Sequence, residues 1–356
     1  MKIAGFLYNR LLRPILFADY KGLPGSGGYP VRESSAILTD RSRTDPFERD
    51  GSFREVPVHF FYPETAAEAP ERFPLVIFSH GAFGYYKSNY STYTELAGNG
   101  YLVAALDHPH HALFTKNTKG RTLIVDKDFL FSVRGINSET DAKELDALHR
   151  QWMNLRVSDM SFALEELKAA AQTGTVDDSW FFSGKDSEAI LSALKRTDVT
   201  RIGVMGHSMG GAAAVELGRV REDISAVVDL DGTMLGEYLG VENDTLTVRE
   251  EPYVVPVLEF VNWESYQSIQ ELLARGLRYP NDVLMRGAAV GFTTTIRGTK
   301  HMDFTDLPLF SPFLGKKLGS GERDTAEVMR IVNSLVLAFF NCYLKGEGVF
   351  RVQELY

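Results

Sequence analysis

The chain has 356 residues, a formal net charge of -9 and a hydrophobic content of 44%, enough apolar material to fill one large core. Its Lys and Arg residues are scattered and form no basic stripe, so a nucleic-acid partner is not expected. The single cysteine, Cys342, excludes an internal disulfide and falls on an apolar face of the last predicted helix, where packing accounts for it. A reducing, cytoplasmic location is the expectation.

The opening "MKIAGFLYNRLLRPILFADY" is apolar but interrupted by Asn9, Arg10, Arg13 and Pro14, which breaks any signal-peptide core or spanning helix. Two readings stand: an extension packed on the domain, or an amphipathic segment in peripheral contact with a membrane surface. "GLPGSGGYP" at 22–30 reads as a turn-rich linker, so residues 1–48 are expected to be an N-terminal extension and 49–356 the domain.

Within the domain, "VPVHFFYP" reads as an early strand. "FPLVIFSHG" (73–81), "YLVAALDHP" (101–109) and "VTRIGVMGH" (199–207) are continuous apolar runs of the kind that form strands buried on both faces. "DISAVVDLD" (223–231), "VVPVLEFVN" (254–262) and "GFTTTIRG" (291–298) are further strands. Met153, Val157, Met160, Leu164, Leu167 and Ala171 step by four and three and place an apolar stripe on a helix facing the sheet. Residues 112–150 are polar and aperiodic, an inserted excursion over the strand ends. A terminal helix starts at Asp324, with Glu327 completing a capping box, and stops near Gly346. Alternating strands and helices imply a doubly wound, mostly parallel α/β sheet with helices on both faces.

"RIGVMGHSMGGAAA" (201–214) sets a serine between glycines where a strand turns into a helix of small residues. That context makes Ser208 the nucleophile of an elbow, a sharp turn in which Gly206 and Gly210 avoid collisions with neighbouring elements. His207 immediately precedes the serine and points away from its hydroxyl, so the base comes from later in the chain. His301, in "TTTIRGTKHMDF" after the last predicted strand, is the candidate. The orienting acid comes from between the two. Asp229, Asp231 and Glu264 are available, and Asp231, directly before Gly232 at a strand end, is favoured. The N–H of Met209 is one oxyanion donor, and that of Ala82, in "SHGAFG" after the first buried strand, is the other. Phe83, Tyr85 and Tyr86 are candidates to line an acyl or alkyl site, and His108 or His111 to shape the substrate site.

The segments "FSHGAFG", "GHSMGG", "VVDLDGTM", "VLEFVNWESYQ" and "TIRGTKHMDFTDL" stand in the order and approximate spacing of the plasma and intracellular type II platelet-activating-factor acetylhydrolases, which the chain resembles over roughly residues 55–345. The resemblance implies an α/β-hydrolase fold and cofactor-free, metal-independent hydrolysis of short or oxidised acyl esters of phospholipids. It assigns Ser208, Asp231 and His301 as the triad and the Ala82 and Met209 amides as the oxyanion hole, and it argues against Glu264. The chain departs from the mammalian pattern in carrying Gly232 and Thr233 where those enzymes have Ala and Trp, and in its 112–150 insert. A cutinase- or lipase-like esterase and an acyltransferase of the same fold are the alternatives. "DHPHH", with Asp107, His108, His110 and His111, raises a zinc-dependent hydrolase, although adjacent residues rarely converge on one ion.

Overall fold

The computed structural model describes residues 22–64, 72–137, 139–182 and 187–356. Its centre is a nine-stranded sheet in the order β13-β12-β9-β8-β3-β4-β2-β1-β7. The expected apolar runs form β3 (Phe73–Ser79), β4 (Leu102–Leu106), β8 (Thr197–His207), β9 (Ala226–Leu230), β12 (Val257–Asn262) and β13 (Gly291–Ile296), all mutually parallel. β3, β4, β9 and β12 are buried at every residue, because helices cover both faces there. β2 (Phe53–Pro63) runs antiparallel to β4, and β1 (Val31–Thr44) and β7 (Trp180–Phe182) extend that side antiparallel.

β1 corrects the expected boundary at residue 48. Ser34, Ala36, Leu38 and Asp40 alternate inward along it, and Ala36 and Leu38 are buried in the same core cluster as Val56 and Val58 of β2. The strand was hidden by polarity: "VRESSAILTDRSRT" offers only a short apolar alternation within a run of Ser, Thr, Arg and Asp. The preceding glycines are likewise pinned: a Cβ on Gly27 would strike the backbone of Gly98, and the Tyr29 amide donates to the Gly98 carbonyl at 3.0 Å. Residues 1–21, with the membrane-contact reading made for them, lie outside the described residues.

One face of the sheet packs on α3 (Ala142–Thr173) and α5 (Met209–Val220), the other on α1 (Tyr90–Gly98) and α8 (Thr325–Phe340). α3 is capped by the Asp141 carboxylate at its start and by left-handed Gly174 (φ 70°) at its end, and buries Met153, Met160, Leu164 and Leu167 as the spacing demands. The helix therefore begins inside the expected 112–150 insert. What remains of the insert is the hairpin β5 (Phe114–Lys116)–β6 (Thr122–Ile124) and α2 (Lys127–Gly135). α8 starts at the expected Asp324 cap, whose carboxylate accepts from the Glu327 amide at 2.9 Å. Glu327 does not close a capping box; its side chain pairs with Arg323 at 2.7 Å. Other elements include α4 (Ser187–Lys195), the hairpin β10 (Tyr238–Glu242)–β11 (Thr245–Val248), α6 (Trp263–Ala274) and α7 (Pro280–Gly287).

If β1 is integral to the core, truncating Leu38, which is fully buried, removes packed apolar volume from it. Leu38→Ala should lower unfolding free energy by about 2–5 kcal/mol in a urea titration; a loss well under 1 kcal/mol would detach β1 from the cooperative domain.

Candidate active site

β8 delivers Ser208 at the carboxyl edge of the sheet with φ 55° and ψ -125°, a backbone region that non-glycine residues avoid. Its neighbours permit the turn by lacking side chains. A Cβ on Gly206 would run into Gly210, one on Gly210 into the Ser79 carbonyl, and one on Gly211 into Asp229 Oδ1. The helix α5 then starts directly at Met209. The Ser208 amide donates to the Leu230 carbonyl at 2.9 Å, which sets the serine beside the end of β9.

Asp231 follows β9 in a left-handed conformation (φ 61°), which aspartate tolerates. Its Oδ2 accepts from His301 Nδ1 at 2.5 Å. Asn262 holds the same carboxylate through its amide N–H to Oδ1 (2.6 Å) and through Nδ2 to both oxygens (3.0 and 2.8 Å). Burial works against the charged form of His301, but the Asp231 hydrogen bond and charge outweigh it and raise its pKa above the ordinary histidine value. A carboxylate can only accept, so Nδ1 carries the proton and Nε2 is left as the basic nitrogen. The His301 turn is itself clamped: the Lys300 and Gly321 amides donate to Asp303 Oδ2 at 2.8 and 2.6 Å, and Asp306 accepts from the Ser91 hydroxyl at the start of α1.

The alternatives separate cleanly. Asp229 is fully buried, and burial together with Glu259 pushes its carboxyl well above the usual range; it accepts from the Gly232 amide at 2.9 Å and braces the turn. Glu264 pairs with Lys300. His207 is buried, and its Nε2 donates to the His301 carbonyl at 3.1 Å. Burial, reinforced by His301, drives its pKa well down, so it is a neutral strut between elbow and histidine turn.

The loop after β3 brings Gly81 against the serine: a Cβ there would lie 3.2 Å from Ser208 Cβ and 2.8 Å from His207 Nδ1. Among the described residues, neither the Ala82 nor the Met209 N–H donates to a protein acceptor, so both amides keep a free donor. From beneath, fully buried Arg156 of α3 donates through Nη1 to the His80 carbonyl and through Nη2 to the Gly81 carbonyl at 3.4 Å. Next to it, Asp159 takes a bidentate pair from Arg54 (3.1 and 2.7 Å) and a bond from His108 Nδ1 (3.0 Å), while His108 Nε2 accepts from Ser79 at 2.9 Å.

Several expected substrate contacts are corrected by this packing. His108 is fully buried with both ring nitrogens engaged, and burial, with Arg156 adding to it, pushes it down to about 4. Tyr85 is buried against Phe114, and Tyr86 stacks on His59 at 3.5 Å, away from the serine. Phe83 (φ 62°) follows Ala82 directly and packs on Phe129 at 5.5 Å. His111 stacks face to face on Phe129 at 3.6 Å and lines a separate cavity with Arg54. Asp107, His108, His110 and His111 do not converge: they turn respectively to Thr115, Asp159, Glu48 and Phe129. Sequence reasoning passed over Asn262 and Arg156. The first sat in view in "FVNWESY", where the glutamate two positions on drew the attention; the second is one cation in a helix and carries no local signal.

The sheet, its helices and the elbow define an α/β-hydrolase. A solved ferulic acid esterase from Streptomyces cinnamoneus has the same fold, with a TM-score of 0.65 at 24% identity over 92% of this chain and 93% of its own. The chain belongs to the family "Platelet-activating factor acetylhydrolase, isoform II", whose model matches residues 58–350. Similar curated proteins include platelet-activating factor acetylhydrolases of Gallus gallus (27% identical over 293 residues) and Cavia porcellus (25% over 292). Each alignment takes in 77% of this chain but 63% and 58%, respectively, of the relative's length.

Gly232, where the resembled mammalian enzymes have alanine, is explained by space: a Cβ would meet the Ser208 carbonyl and come within 2.6 Å of Asp229 Oδ1. Gly232→Ala should cost about 1–3 kcal/mol of stability. The double variant Gly232→Ala, Asp229→Ala, which removes the carboxylate in the way, should cost measurably less than the two single changes summed. Additive losses in denaturant titrations would refute the Asp229 part of the clash.

Proposed function

We propose that the protein is a serine carboxyl-ester hydrolase acting on short-chain acyl esters, with the acetyl or oxidised acyl esters of phospholipids as the substrate class. The observation that carries the reading is the 2.5 Å bond from His301 Nδ1 to Asp231, formed beside a serine in a left-handed elbow. Family membership and the names of the relatives support the ester class.

In this reading His301 Nε2 takes the Ser208 proton as Oγ attacks the ester carbonyl. The Ala82 and Met209 N–H groups hold the oxyanion, and the imidazolium returns its proton to the leaving alcohol. Water, deprotonated by the same nitrogen, then attacks the acyl-enzyme and releases the acid. Asp231 stays ionised, fixes the tautomer and stabilises the imidazolium, while Asn262 holds its carboxylate in place.

Ser208→Ala should abolish turnover of p-nitrophenyl acetate while leaving the thermal unfolding midpoint within a few degrees of wild type; retained turnover refutes the nucleophile. The pH profile offers a second test. His301 acts only when neutral, so kcat/KM should rise with pH through an apparent pKa above the ordinary histidine value. In Asp231→Asn the influences that raise it vanish, so that pKa should fall, with kcat down by about 10⁴-fold. An unchanged profile in the variant would remove Asp231 from the triad.

A further inference from the structure

A second polar chain lies on the same molecule, well away from Ser208. Ser35 of β1 and His59 of β2 face each other across the antiparallel ladder, with Ser35 Oγ 2.8 Å from His59 Nδ1. His59 Nε2 in turn reaches Asp107 Oδ2 at 3.3 Å. These three residues line a cavity of about 490 Å³, a volume within the range of small-molecule sites. None of Ser208, Asp231 and His301 lines it, and β2 stands three places along the sheet from β8.

The fold explains the space. Val56, Val58 and Phe60 of β2 point to the face covered by α3, which leaves Pro57 and His59 on the opposite one. There α1 packs on Phe61, but over Pro57, His59, Ser35 and Ile37 the roof is the β5–β6 hairpin. That hairpin is tied down by Thr115 to Asp107 at 2.7 Å and by the Thr118 amide to Glu55 at 3.0 Å.

The hydrogen-bond directions select the ligand. Asp107 can only accept, so His59 carries its proton on Nε2 and its Nδ1 accepts the Ser35 hydroxyl proton. Ser35 Oγ then presents lone pairs to the cavity and calls for a donor, which a carboxylate or phosphate does not offer at that position. A cation finds no open carboxylate, because Asp107 already takes the Tyr86 amide (2.7 Å), Thr115 and His59, and Lys116 lies in the lining. Part of the lining is flat or apolar, the stacked His59–Tyr86 pair, Phe114, Phe181 and Ile37, and the hairpin adds the polar residues Lys116, Asn117, Thr118 and Thr122. We propose that this cavity is a second ligand site that binds a neutral aromatic alcohol, its ring between the aromatic walls and its hydroxyl donating to Ser35.

The test uses the Ser208→Ala protein, so its outcome is independent of the proposed esterase activity. 2-Naphthol, neutral at pH 7 and fluorescent, is titrated against it. One-to-one saturable binding is expected, weakened at least tenfold by His59→Leu, which breaks the polar chain, and by Thr122→Trp, which fills the cavity from the hairpin. Both variants are checked for a native melting transition. 2-Naphthoate and a naphthyl ammonium of the same size should bind at least tenfold more weakly than naphthol. No saturable binding, binding untouched by both variants, or equal affinity for the carboxylate would overturn the proposal.

Discussion

A serine at φ 55° is the constraint around which the sheet's carboxyl edge is organised. Such a conformation costs on the order of 1–3 kcal/mol and persists only where the surroundings leave no alternative. Here the surroundings are defined by missing side chains: Gly206, Gly210 and Gly211 bring β8, α5 and the end of β3 closer together than any Cβ would allow. The same closeness dictates Gly232, because the turn after β9 must pass over the Ser208 carbonyl while Asp229 braces it from within. One backbone strain thus fixes residue identity in two separate segments.

The two loops that meet the elbow are held by different physics. The histidine turn is held by carboxylates taking backbone and hydroxyl donors, Asp303 from Lys300 and Gly321 and Asp306 from α1. The loop after β3 is held by charge taken out of water. Arg54, Arg156 and Asp159 are all fully buried, and although burial alone would raise Asp159, the Arg54 charge and the His108 bond hold it far below the usual carboxylate range. Arg156 is pushed down by burial to about 9, with Asp159 opposing, and so remains cationic at neutral pH. Its two terminal nitrogens donate to the carbonyls of His80 and Gly81, which turns the peptide units of that loop so that the Ala82 N–H is left over. A buried guanidinium is a costly way to hold a loop, but it is rigid, and an oxyanion donor needs rigidity.

What the sequence could reveal follows from range. The parallel strands were legible because strands buried on both faces are uninterrupted apolar runs, and the elbow because its glycines, serine and small-residue helix are consecutive. Ser208 followed from the elbow, while Asp231 and His301 were chosen by their places after later strands together with the family resemblance. β1 was not legible because an outer strand with one polar face loses its signal to Ser, Thr and Arg. The expected roles of His108, Tyr85 and Tyr86 failed for a related reason. Proximity in sequence to a loop near the serine says nothing about which side of the sheet a side chain takes, and that was decided by partners from other segments: Phe114 for Tyr85, His59 for Tyr86 and Asp159 for His108.

The molecule then holds two hydroxyl–imidazole–carboxylate chains, and the contrast between them shows what makes one of them fit for chemistry. Ser35 lies within a regular ladder, its strand paired with β2 on one side and β7 nearby on the other, so backbone amides around it point along the sheet and into hydrogen bonds. Nothing there resembles the two free N–H groups of Ala82 and Met209, and the backbone of Ser35 is not strained. A nucleophile whose developing oxyanion meets no preorganised donor forgoes a hundredfold to a thousandfold in rate for each donor missing. The same ladder that denies Ser35 catalysis keeps its hydroxyl fixed in direction, which is the property a binding site needs. Alignment of three side chains is therefore the lesser part of a serine hydrolase, and the bend that frees the amides is the greater.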